Sequence, residues 1–397
     1  MTGDVKIRVE TSFQDISKDS WDGLSGAAKG QPGGLYNPFI SHAYLSSLEE
    51  SGSATADTGW LGQHLLMEDG HGGLAGGLIC YLKNHSQGEY VFDHGWADAL
   101  ERAGGRYYPK LQCSVPFTPA TGPRLLTAMT ADAGVVRSSL AAGLQELTRR
   151  HQVSSAHVTF LPDEEVPTFE QAGFLHRTDQ QFHFLNDGYA SHNDFLETLA
   201  SRKRKALKKE RRAALEGGIS IDWLTGRDLT ESIWDQFFSF YMDTGSRKWG
   251  RPYLTRKFYS LIGERMADDI LLVMAKRNGK YIAGAINFIG SDALYGRHWG
   301  AVEDHPFLHF EVCYHQAIDF AIAKGLKRVE AGAQGEHKLA RGYLPATTHS
   351  AHFIAHPGLK RAVADYLERE RQEVEQMSDI LAEQSPFRKG ERQETDD

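Results

Sequence analysis

The segment Leu294-Tyr-Gly-Arg-His-Trp-Gly-Ala301 is followed further along the chain by Glu330-Ala-Gly-Ala-Gln-Gly-Glu-His-Lys338. The residue pattern predicts a strand at 293–299, a long helix at 308–324 and a second strand at 327–331. That second strand runs directly into a glycine-rich loop, where ionisable side chains stand beside backbone that a ligand can approach closely. The sequence therefore predicts an α/β unit with a polar site at the end of its last strand.

The same order of elements is predicted twice along the chain. Each half contains helices, a hairpin, a strand, a long helix and a strand, and the hairpins turn at Asp69-Gly70 and at Asn278-Gly279. We therefore predict a tandem duplication of one α/β unit. The expected domains are residues 1–187 and 188–356, followed by an amphipathic helix and polar tail at 357–397.

Composition bounds the class of protein. The 397 residues are 41% hydrophobic and 24% charged, which is typical of a globular chain with two domains. The net charge of -8 argues against a surface built wholly for nucleic acid, although a local basic patch is compatible with it. No apolar run approaches the roughly 20 residues of a membrane span, and no signal peptide is evident, so we expect a cytoplasmic protein. Three widely spaced cysteines favour reduced thiols: Cys80, Cys113 and Cys313.

Motifs in both halves carry a family resemblance. They are Asn37-Pro-Phe39, Lys83-Asn-His-Ser-Gln-Gly-Glu-Tyr-Val-Phe-Asp93, Tyr107-Tyr-Pro-Lys110, Pro116-Phe-Thr-Pro119 and Gly332-Ala-Gln-Gly-Glu-His-Lys338. Through them the chain resembles the bacterial FemAB-like family, often labelled peptidoglycan biosynthesis proteins, over roughly residues 35 to 352. The second half is similar to the acyltransferase domain of the GNAT superfamily through Ser201-Arg-Lys-Arg-Lys205, Lys248-Trp-Gly250, Gly279-Lys-Tyr-Ile-Ala-Gly-Ala285, Leu294 to Gly300 and Gly325-Leu326.

The resemblance implies a fold and a reaction. The implied fold is α/β with mixed sheets, arranged as tandem GNAT-like domains. The implied reaction transfers an acyl or aminoacyl group from an activated donor to an amine, with cell-wall precursor metabolism as one setting. Acyl-CoA and aminoacyl-tRNA are the two expected co-substrates, and no tightly bound cofactor is expected. The acceptor would be a small-molecule or peptide-like amine.

One loop departs from the GNAT pattern. GNAT enzymes that use acyl-CoA carry a glycine-containing loop after the fourth strand, whose N–H groups bind the pyrophosphate. Here that loop is Val302-Glu-Asp-His-Pro-Phe307, which is acidic and lacks glycine. The nearest substitute is Thr118-Pro-Ala-Thr-Gly-Pro-Arg124, so Thr118 and Arg124 are candidate donor ligands. Acyl-CoA and aminoacyl-tRNA therefore both stay open as donors.

Amine acylation needs a base. A lysine-like ammonium with a pKa of about 10.4 costs roughly 4.6 kcal/mol to deprotonate at pH 7. Four side chains near the glycine-rich loop are candidates for the catalytic base: Glu311, Glu330, Glu336 and His337. Arg297 or Lys338 could stabilise the oxyanion. The alternative is that Glu336 and Lys338 pair with Arg341 and only shape the loop.

Charged and aromatic side chains of both halves are candidates for substrate binding. In the second half they are Lys248, Trp249, Arg297, Trp299, Gln334, Lys338 and Arg341. In the first half they are Lys83, His85, Glu89, Asp93, Tyr108 and Lys110. The aromatic members could equally be core residues, which is the commoner role of such side chains.

The basic run in the second half is the clearest charge feature. We predict one helix from His192 through this run, with Leu196, Leu199, Ala206 and Ala213 near its buried face. Four cations are candidate donor or phosphate ligands: Arg202, Arg204, Lys205 and Lys208. A helix face exposed to solvent is the alternative interpretation.

Two further questions concern a metal and the enzyme class. His309, Glu311, Cys313 and His315 are close in sequence, but helical spacing places them on different sides, so no metal site is predicted. The alternative to an enzyme is a catalytically inactive GNAT-like binding protein. The oligomeric state is open.

Overall fold

The computed structural model describes residues 6–30, 35–248, 252–333 and 335–388, with the side chains of residues 246–248 and 336 also outside the description. The chain forms two compact units, each assembled from separate segments. The first unit comprises Met1–Asp179, Tyr253–Met266 and Thr347–Val374. The second unit comprises Gln180–Pro252, Ala267–Ala346 and Glu375–Asp397. These units differ from the contiguous domains predicted above, because two segments from the second half of the chain belong to the first unit.

The described residues contain alternating strands and helices. The strands are β1 Ile7–Glu10, β2 Leu61–Gly62, β3 His64–Glu68, β4 Leu74–Leu78, β5 Tyr81–Lys83, β6 Lys110–Cys113, β7 Leu126–Thr127, β8 Ser155–Leu161, β9 Leu175–Leu185, β10 Ile219–Leu224, β11 Ile270–Arg277, β12 Lys280–Ile289, β13 Ala293–Ala301, β14 Arg328–Glu330 and β15 Leu344–Ile354. The helices are α1 Lys18–Asp22, α2 His42–Glu50, α3 His94–Arg102, α4 Ala133–Arg150, α5 Val166–Gln171, α6 His192–Thr198, α7 Ser201–Ala214, α8 Glu231–Lys248, α9 Arg256–Arg265, α10 Leu308–Phe310, α11 Gln316–Lys324 and α12 Pro357–Glu383. A π-helical turn, Glu311–His315, joins α10 to α11.

The first unit contains two sheets. The strand orders are β1-β3-β4-β7 and β15-β8-β6-β5-β2, and β6 pairs with β8 in parallel. Apolar side chains of α4, including Leu140 and Leu144, belong to a buried cluster with Leu111 and Val158 of those two strands. The parallel pair and its connecting helix thus form the core of this unit, as in a βαβ crossover.

The second unit repeats this arrangement. Its strand order is β10-β11-β12-β13-β14-β9, and β13 pairs in parallel with β14 only from Ala293 to Tyr295 and from Arg328 to Glu330. Strand β14 then ends, whereas β13 continues to Ala301. The two strands therefore separate beyond Tyr295 and Glu330. We call the resulting gap the wedge.

Local sequence signals account for several elements. Ser41 is the N-cap of α2 and accepts a hydrogen bond from the backbone N–H of Tyr44, as its residue type predicts. The two predicted hairpins are confirmed by the antiparallel pairs β3-β4 and β11-β12. None of the helices in the described part of the chain combines the length and hydropathy needed to span a bilayer.

The basic helix differs from its prediction. The chain is extended at Leu199, so α6 and α7 are separate helices. The buried positions of α7 are Leu207 and Ala214, while the predicted inward residue Ala206 is exposed. The prediction is confirmed for Leu196 and Leu199, which are buried. It was wrong for Ala206, because the inward side of α7 is formed by Leu207 and Ala214 together with the ion-paired Glu210 and Arg211.

Candidate active site

The wedge contains a cavity of about 100 Å³. Strands β12 and β13 form one side, the turn of helix after α10 forms another, and the end of β14 closes it. The polar and aromatic residues that line it are Asn287, Arg297, His298, Trp299, His309, Cys313, Tyr314 and Glu330. Three of the predicted site residues, Arg297, Trp299 and Glu330, are therefore brought together here.

Glu330 is the last residue of β14 and is only 4% exposed. Its Oε1 accepts a hydrogen bond from Nε of Arg328 at 3.0 Å. Its Oε2 has no hydrogen-bond partner within the described residues, and Nε2 of His183 lies 3.9 Å from it. Burial lowers the pKa of His183, so this neighbour is neutral at pH 7. Glu330 thus keeps one carboxylate oxygen available for proton transfer.

Tyr314 and His337 form a second pair beside the cavity. The Tyr314 hydroxyl lies 3.1 Å from Nε2 of His337. Burial raises the pKa of Tyr314, so its hydroxyl keeps its proton. Burial and then the charges of Arg341 and Lys338 lower the pKa of His337, which favours the neutral imidazole. A neutral imidazole can accept a hydrogen bond from the Tyr314 hydroxyl, and the pair can pass a proton.

Lys338 and Arg341 hold the backbone of the glycine-rich loop. Lys338 Nζ donates to the carbonyl oxygens of Ala331 at 2.5 Å and Gly332 at 2.9 Å, and burial lowers its pKa to about 8. Arg341 Nη1 donates to the carbonyl oxygen of His337 at 2.6 Å. Both side chains, which were predicted to bind substrate, are therefore occupied by protein groups. The alternative in which Glu336 and Lys338 pair with Arg341 is not what Lys338 does, and the side chain of Glu336 lies outside the described residues.

Glu311 is not placed to act as the predicted base. It is fully buried, and its carboxylate accepts hydrogen bonds from Arg211 Nη2 at 2.7 Å and from Gln316 Nε2 at 2.7 Å. It is also absent from the residues that line the cavity. The ion pair with Arg211 and the hydrogen bond from Gln316 therefore give Glu311 a structural role.

The outer face of α7 carries the predicted cations. Exposed positions include Arg202, Lys205 and Lys208, together with Lys209, which was not predicted. Arg204 instead forms an ion pair with the carboxylate of Glu197. The outer face is thus cationic, whereas the inner face is locked by ion pairs.

Thr118 and Arg124 are not available to bind a donor. Arg124 is 1% exposed, and its guanidinium donates to the carbonyl oxygens of Ala120, Gly122 and Thr159. The Thr118 hydroxyl donates to the carbonyl oxygen of Pro116 at 3.0 Å and is also buried. Their predicted role was wrong, because Thr118 binds a carbonyl oxygen of its own loop, and Arg124 binds carbonyl oxygens of that loop and of Thr159 in β8, beyond the residues that pair with β6.

Four of the predicted binding residues of the first unit meet in a buried cluster. Lys110 Nζ donates to Glu89 Oε2 at 2.7 Å and to Asp93 Oδ2 at 2.5 Å. Lys83 Nζ lies 3.8 Å from Glu89 Oε1 and 3.3 Å from the centroid of the Trp60 ring. Burial lowers the pKa of Lys83 to about 7 and raises the pKa of Glu89 to about 7. These charges lie inside the first unit, so direct substrate contact would require the cluster to open.

The cluster continues through residues that were not among the predicted site residues. The Tyr107 hydroxyl donates to Asp93 Oδ2 at 2.7 Å and lies 3.2 Å from Nε2 of His157. Nδ1 of His157 lies 2.8 Å from Nδ1 of His352. Polar residues at every second position of β8, at Ser155, His157 and Thr159, were a signal for this polar sheet face.

The remaining predicted residues are peripheral or undescribed. Tyr108 donates or accepts a hydrogen bond with the Ser86 hydroxyl at 2.9 Å, and Nε2 of His85 lies 3.2 Å from the carbonyl oxygen of Thr58. Four predicted site residues lie outside the described part of the structure, wholly or by their side chains: Lys248, Trp249, Gln334 and Glu336. Across the residues that are described, no three His, Cys, Asp or Glu side chains form a group able to hold a metal ion.

Two units, each with a parallel strand pair and a crossover helix, define a tandem GNAT-fold protein, and the second unit retains an open wedge. The chain belongs to the FemAB_like family, described as peptidoglycan biosynthesis/recognition, which it matches over residues 12–389. The protein is accordingly a transferase of acyl or aminoacyl groups, as predicted. No curated protein sequence matches the chain.

Solved structures agree with this fold. The crystal structure of FemX has a TM-score of 0.53 and 11% identity, covering 90% of this chain and 100% of that chain. A conserved protein of unknown function from Bacteroides thetaiotaomicron VPI-5482 has a TM-score of 0.53 and 10% identity, covering 87% and 99%. A tandem GNAT protein from the clavulanic acid biosynthesis pathway has a TM-score of 0.46 and 11% identity, covering 89% and 99%. The first two structures confirm the predicted fold class.

Proposed function

We propose that the wedge of the second unit is the active site and that it transfers an aminoacyl group from aminoacyl-tRNA to a primary amine. The observation that carries this proposal is the position of Glu330, whose carboxylate lines the cavity with Oε2 unbonded among the described residues. Tyr314 lines the same cavity and contacts His337. An acceptor and a donor of protons therefore stand at one small site, as acyl transfer requires.

The reaction can be written with these groups. The neutral amine attacks the ester carbonyl carbon of the donor, which forms a C–N bond and a tetrahedral oxyanion. The attached nitrogen is now cationic and acidic, and it gives its proton to Glu330 Oε2. The C–O bond to the ribose then breaks, and the Tyr314 hydroxyl protonates the departing oxygen. Glu330 releases the proton of the amine to water. Water protonates Nδ1 of the neutral His337 as the hydrogen on its Nε2 passes to the Tyr314 phenolate through their hydrogen bond, so one proton has moved from the amine to the ribose oxygen.

Two features favour aminoacyl-tRNA over acyl-CoA as the donor. A second cavity of about 520 Å³ adjoins Trp299 and His309 and is lined by Glu303 and Asp304. Carboxylates at this position disfavour a pyrophosphate. The exposed cations of α7 supply the kind of surface that binds an RNA backbone.

The test is transfer of a radiolabelled amino acid from charged tRNA to a lysine-containing peptidoglycan precursor peptide. The Glu330→Gln variant should lose at least about a hundredfold in kcat, because it cannot accept the proton. Glu368→Gln, at an exposed position of α12, serves as the matched control. Equal rates for Glu330→Gln and the wild type would exclude Glu330 as the base, and transfer from acyl-CoA alone would exclude the proposed donor.

A further inference from the structure

We propose that the ion pair between Glu210 and Arg341 ties the donor-binding helix α7 to the active-site loop, and that Arg341 is a positioning residue for His337. This inference rests on the function proposed above, because it assigns α7 to the donor and His337 to proton transfer. The inference concerns how α7 and the active-site loop are held together, because the reaction steps above do not involve a contact between them.

The connection starts on the inner face of α7. Arg341 Nε donates to Glu210 Oε1 at 2.9 Å, and Arg341 Nη2 donates to Glu210 Oε2 at 2.5 Å. This is a bidentate pair, and Arg341 is only 5% exposed. Glu210 Oε1 also lies 2.9 Å from Nε2 of His315, which is in the turn that carries Tyr314. A pair of this kind fixes orientation as well as distance.

The same guanidinium continues to the active site. Its third nitrogen, Nη1, donates to the carbonyl oxygen of His337, and its carbon lies 3.5 Å from the centroid of the Phe310 ring. His337 in turn contacts the Tyr314 hydroxyl. Arg341 therefore contacts α7, the turn after α10 and the backbone of His337. A substitution at Glu210 should therefore alter the position of the proton donor Tyr314, although Glu210 itself does not contact substrate.

A second ion pair keeps α7 in place. Arg211 donates to Glu311 and to Asp319 Oδ2 at 2.7 Å, and Leu207 and Ala214 are buried on the same side. Positions 207, 210, 211 and 214 follow the spacing of one helix face. The exposed cations 202, 205, 209 and 212 follow the same spacing on the opposite face. The helix thus presents its cations outward while its inner face is fixed to the active-site loop.

The partner that fits the outer face is a polyanion, for which the phosphate backbone of the donor tRNA is the proposed source. Binding of tRNA to this face can position the active-site loop only if the Glu210–Arg341 ion pair is intact. Loss of the pair should therefore reduce the rate of the bound complex and leave its affinity for tRNA unchanged. Loss of the outer cations should weaken the affinity for tRNA and leave the rate of the bound complex unchanged.

The kinetic test uses the full chain and charged tRNA. Glu210→Gln and Arg341→Lys should each lower kcat about tenfold with KM for charged tRNA unchanged, whereas Lys205→Glu with Lys209→Glu should raise KM and leave kcat unchanged. Arg369→Lys, at an exposed position of α12, is the control. Wild-type kcat in both Glu210→Gln and Arg341→Lys would overturn the inference.

A second readout separates this inference from the proposed function. The titration of His337 is followed by NMR with 13C-labelled histidine, and the His337→Asn variant identifies its signal. Arg341→Gln removes a neighbouring cation and should raise the pKa of His337, while Arg341→Lys should raise it less. If charged tRNA is not a substrate, an unchanged pKa in Arg341→Gln still overturns the positioning role. A raised pKa would support that role independently of the donor.

Discussion

The Nδ1 atoms of His157 and His352 lie 2.8 Å apart inside the first unit, so one of them carries a hydrogen and the other accepts it. Both rings are buried, and burial lowers the pKa of His157 to about 3 and that of His352 well below its ordinary value. The pair is therefore neutral in the folded protein at all physiological pH values.

This pair predicts a loss of stability in acid. The unfolded chain protonates these histidines below a pKa of about 6.5, while the folded protein does not, so stability present above that pH is lost as the pH falls toward 3. Each histidine contributes about 1.4 kcal/mol per pH unit within that window. The unfolding temperature should fall less between pH 7.5 and 5.5 in His352→Gln than in the wild type. His71→Gln, on an exposed turn, should keep the wild-type dependence.

Lys83 predicts a dependence of the same sign at higher pH. Its pKa is lowered to about 7 by burial, so between pH 7 and 10.5 the unfolded chain binds more protons than the folded protein. Stability should therefore rise with pH across this window. The rise in the urea midpoint from pH 7.5 to 9.5 should be smaller in Lys83→Met. The exposed control Lys280→Met should behave as the wild type, and an unchanged slope in Lys83→Met would contradict the lowered pKa.

Tyr314→Phe tests the proposed proton donor. The variant removes the hydroxyl and keeps the ring, so the cavity should retain its shape. We expect kcat for transfer from charged tRNA to fall about a hundredfold with little change in KM. Tyr366→Phe, at an exposed position of α12, is the matched control. A Tyr314→Phe enzyme with wild-type kcat would show that another group protonates the leaving oxygen.

The outer face of α7 predicts a salt effect. Binding of tRNA should weaken as salt increases, and replacing Lys205 and Lys209 by alanine should lower the slope of log K against log salt concentration by about 1.5 to 2. The same two changes at Lys280 and Lys324, which are exposed outside α7, should leave the slope unaltered. Equal slopes for both double variants would show that RNA does not contact this helix.

Arg124→Ala separates structure from donor binding. Its guanidinium satisfies three buried carbonyl oxygens, and their loss of partners should cost about 3 kcal/mol of unfolding free energy or more. The Kd for charged tRNA should be unchanged wherever the variant remains folded. A weakened Kd with wild-type stability would restore the first prediction, in which Arg124 binds the donor.

Sequence reasoning located the wedge because a strand that ends in a glycine-rich loop is a local signal, and Glu330 stands at that end. It did not find β15, since Leu344–Ile354 contains Pro345 and its buried face is partly polar, with Ser350 and His352. The apolar alternation by which a half-buried strand is recognised is therefore missing there.

The predictions for the charged residues failed for a different reason. Lys83, Glu89, Asp93 and Lys110 were expected to contact substrate because charges seldom lie in a core. The fold buries them together: Lys110 binds Glu89 and Asp93, which lie 21 and 17 residues away along the chain, and Lys83 lies beside Glu89. Glu311 was misjudged for the same reason, because its partner Arg211 belongs to another helix. Pairings of this kind depend on tertiary structure, which spacing along the chain does not reveal.

The buried guanidinium of Arg124 has a consequence for stoichiometry. In the first unit it donates to the carbonyl oxygen of Thr159, just beyond the residues of β8 that pair with β6, whereas the cavity of the second unit lies where β13 and β14 separate beyond their paired residues. The active site proposed above therefore lies in the second unit alone. A mechanism-based inhibitor should label each polypeptide once.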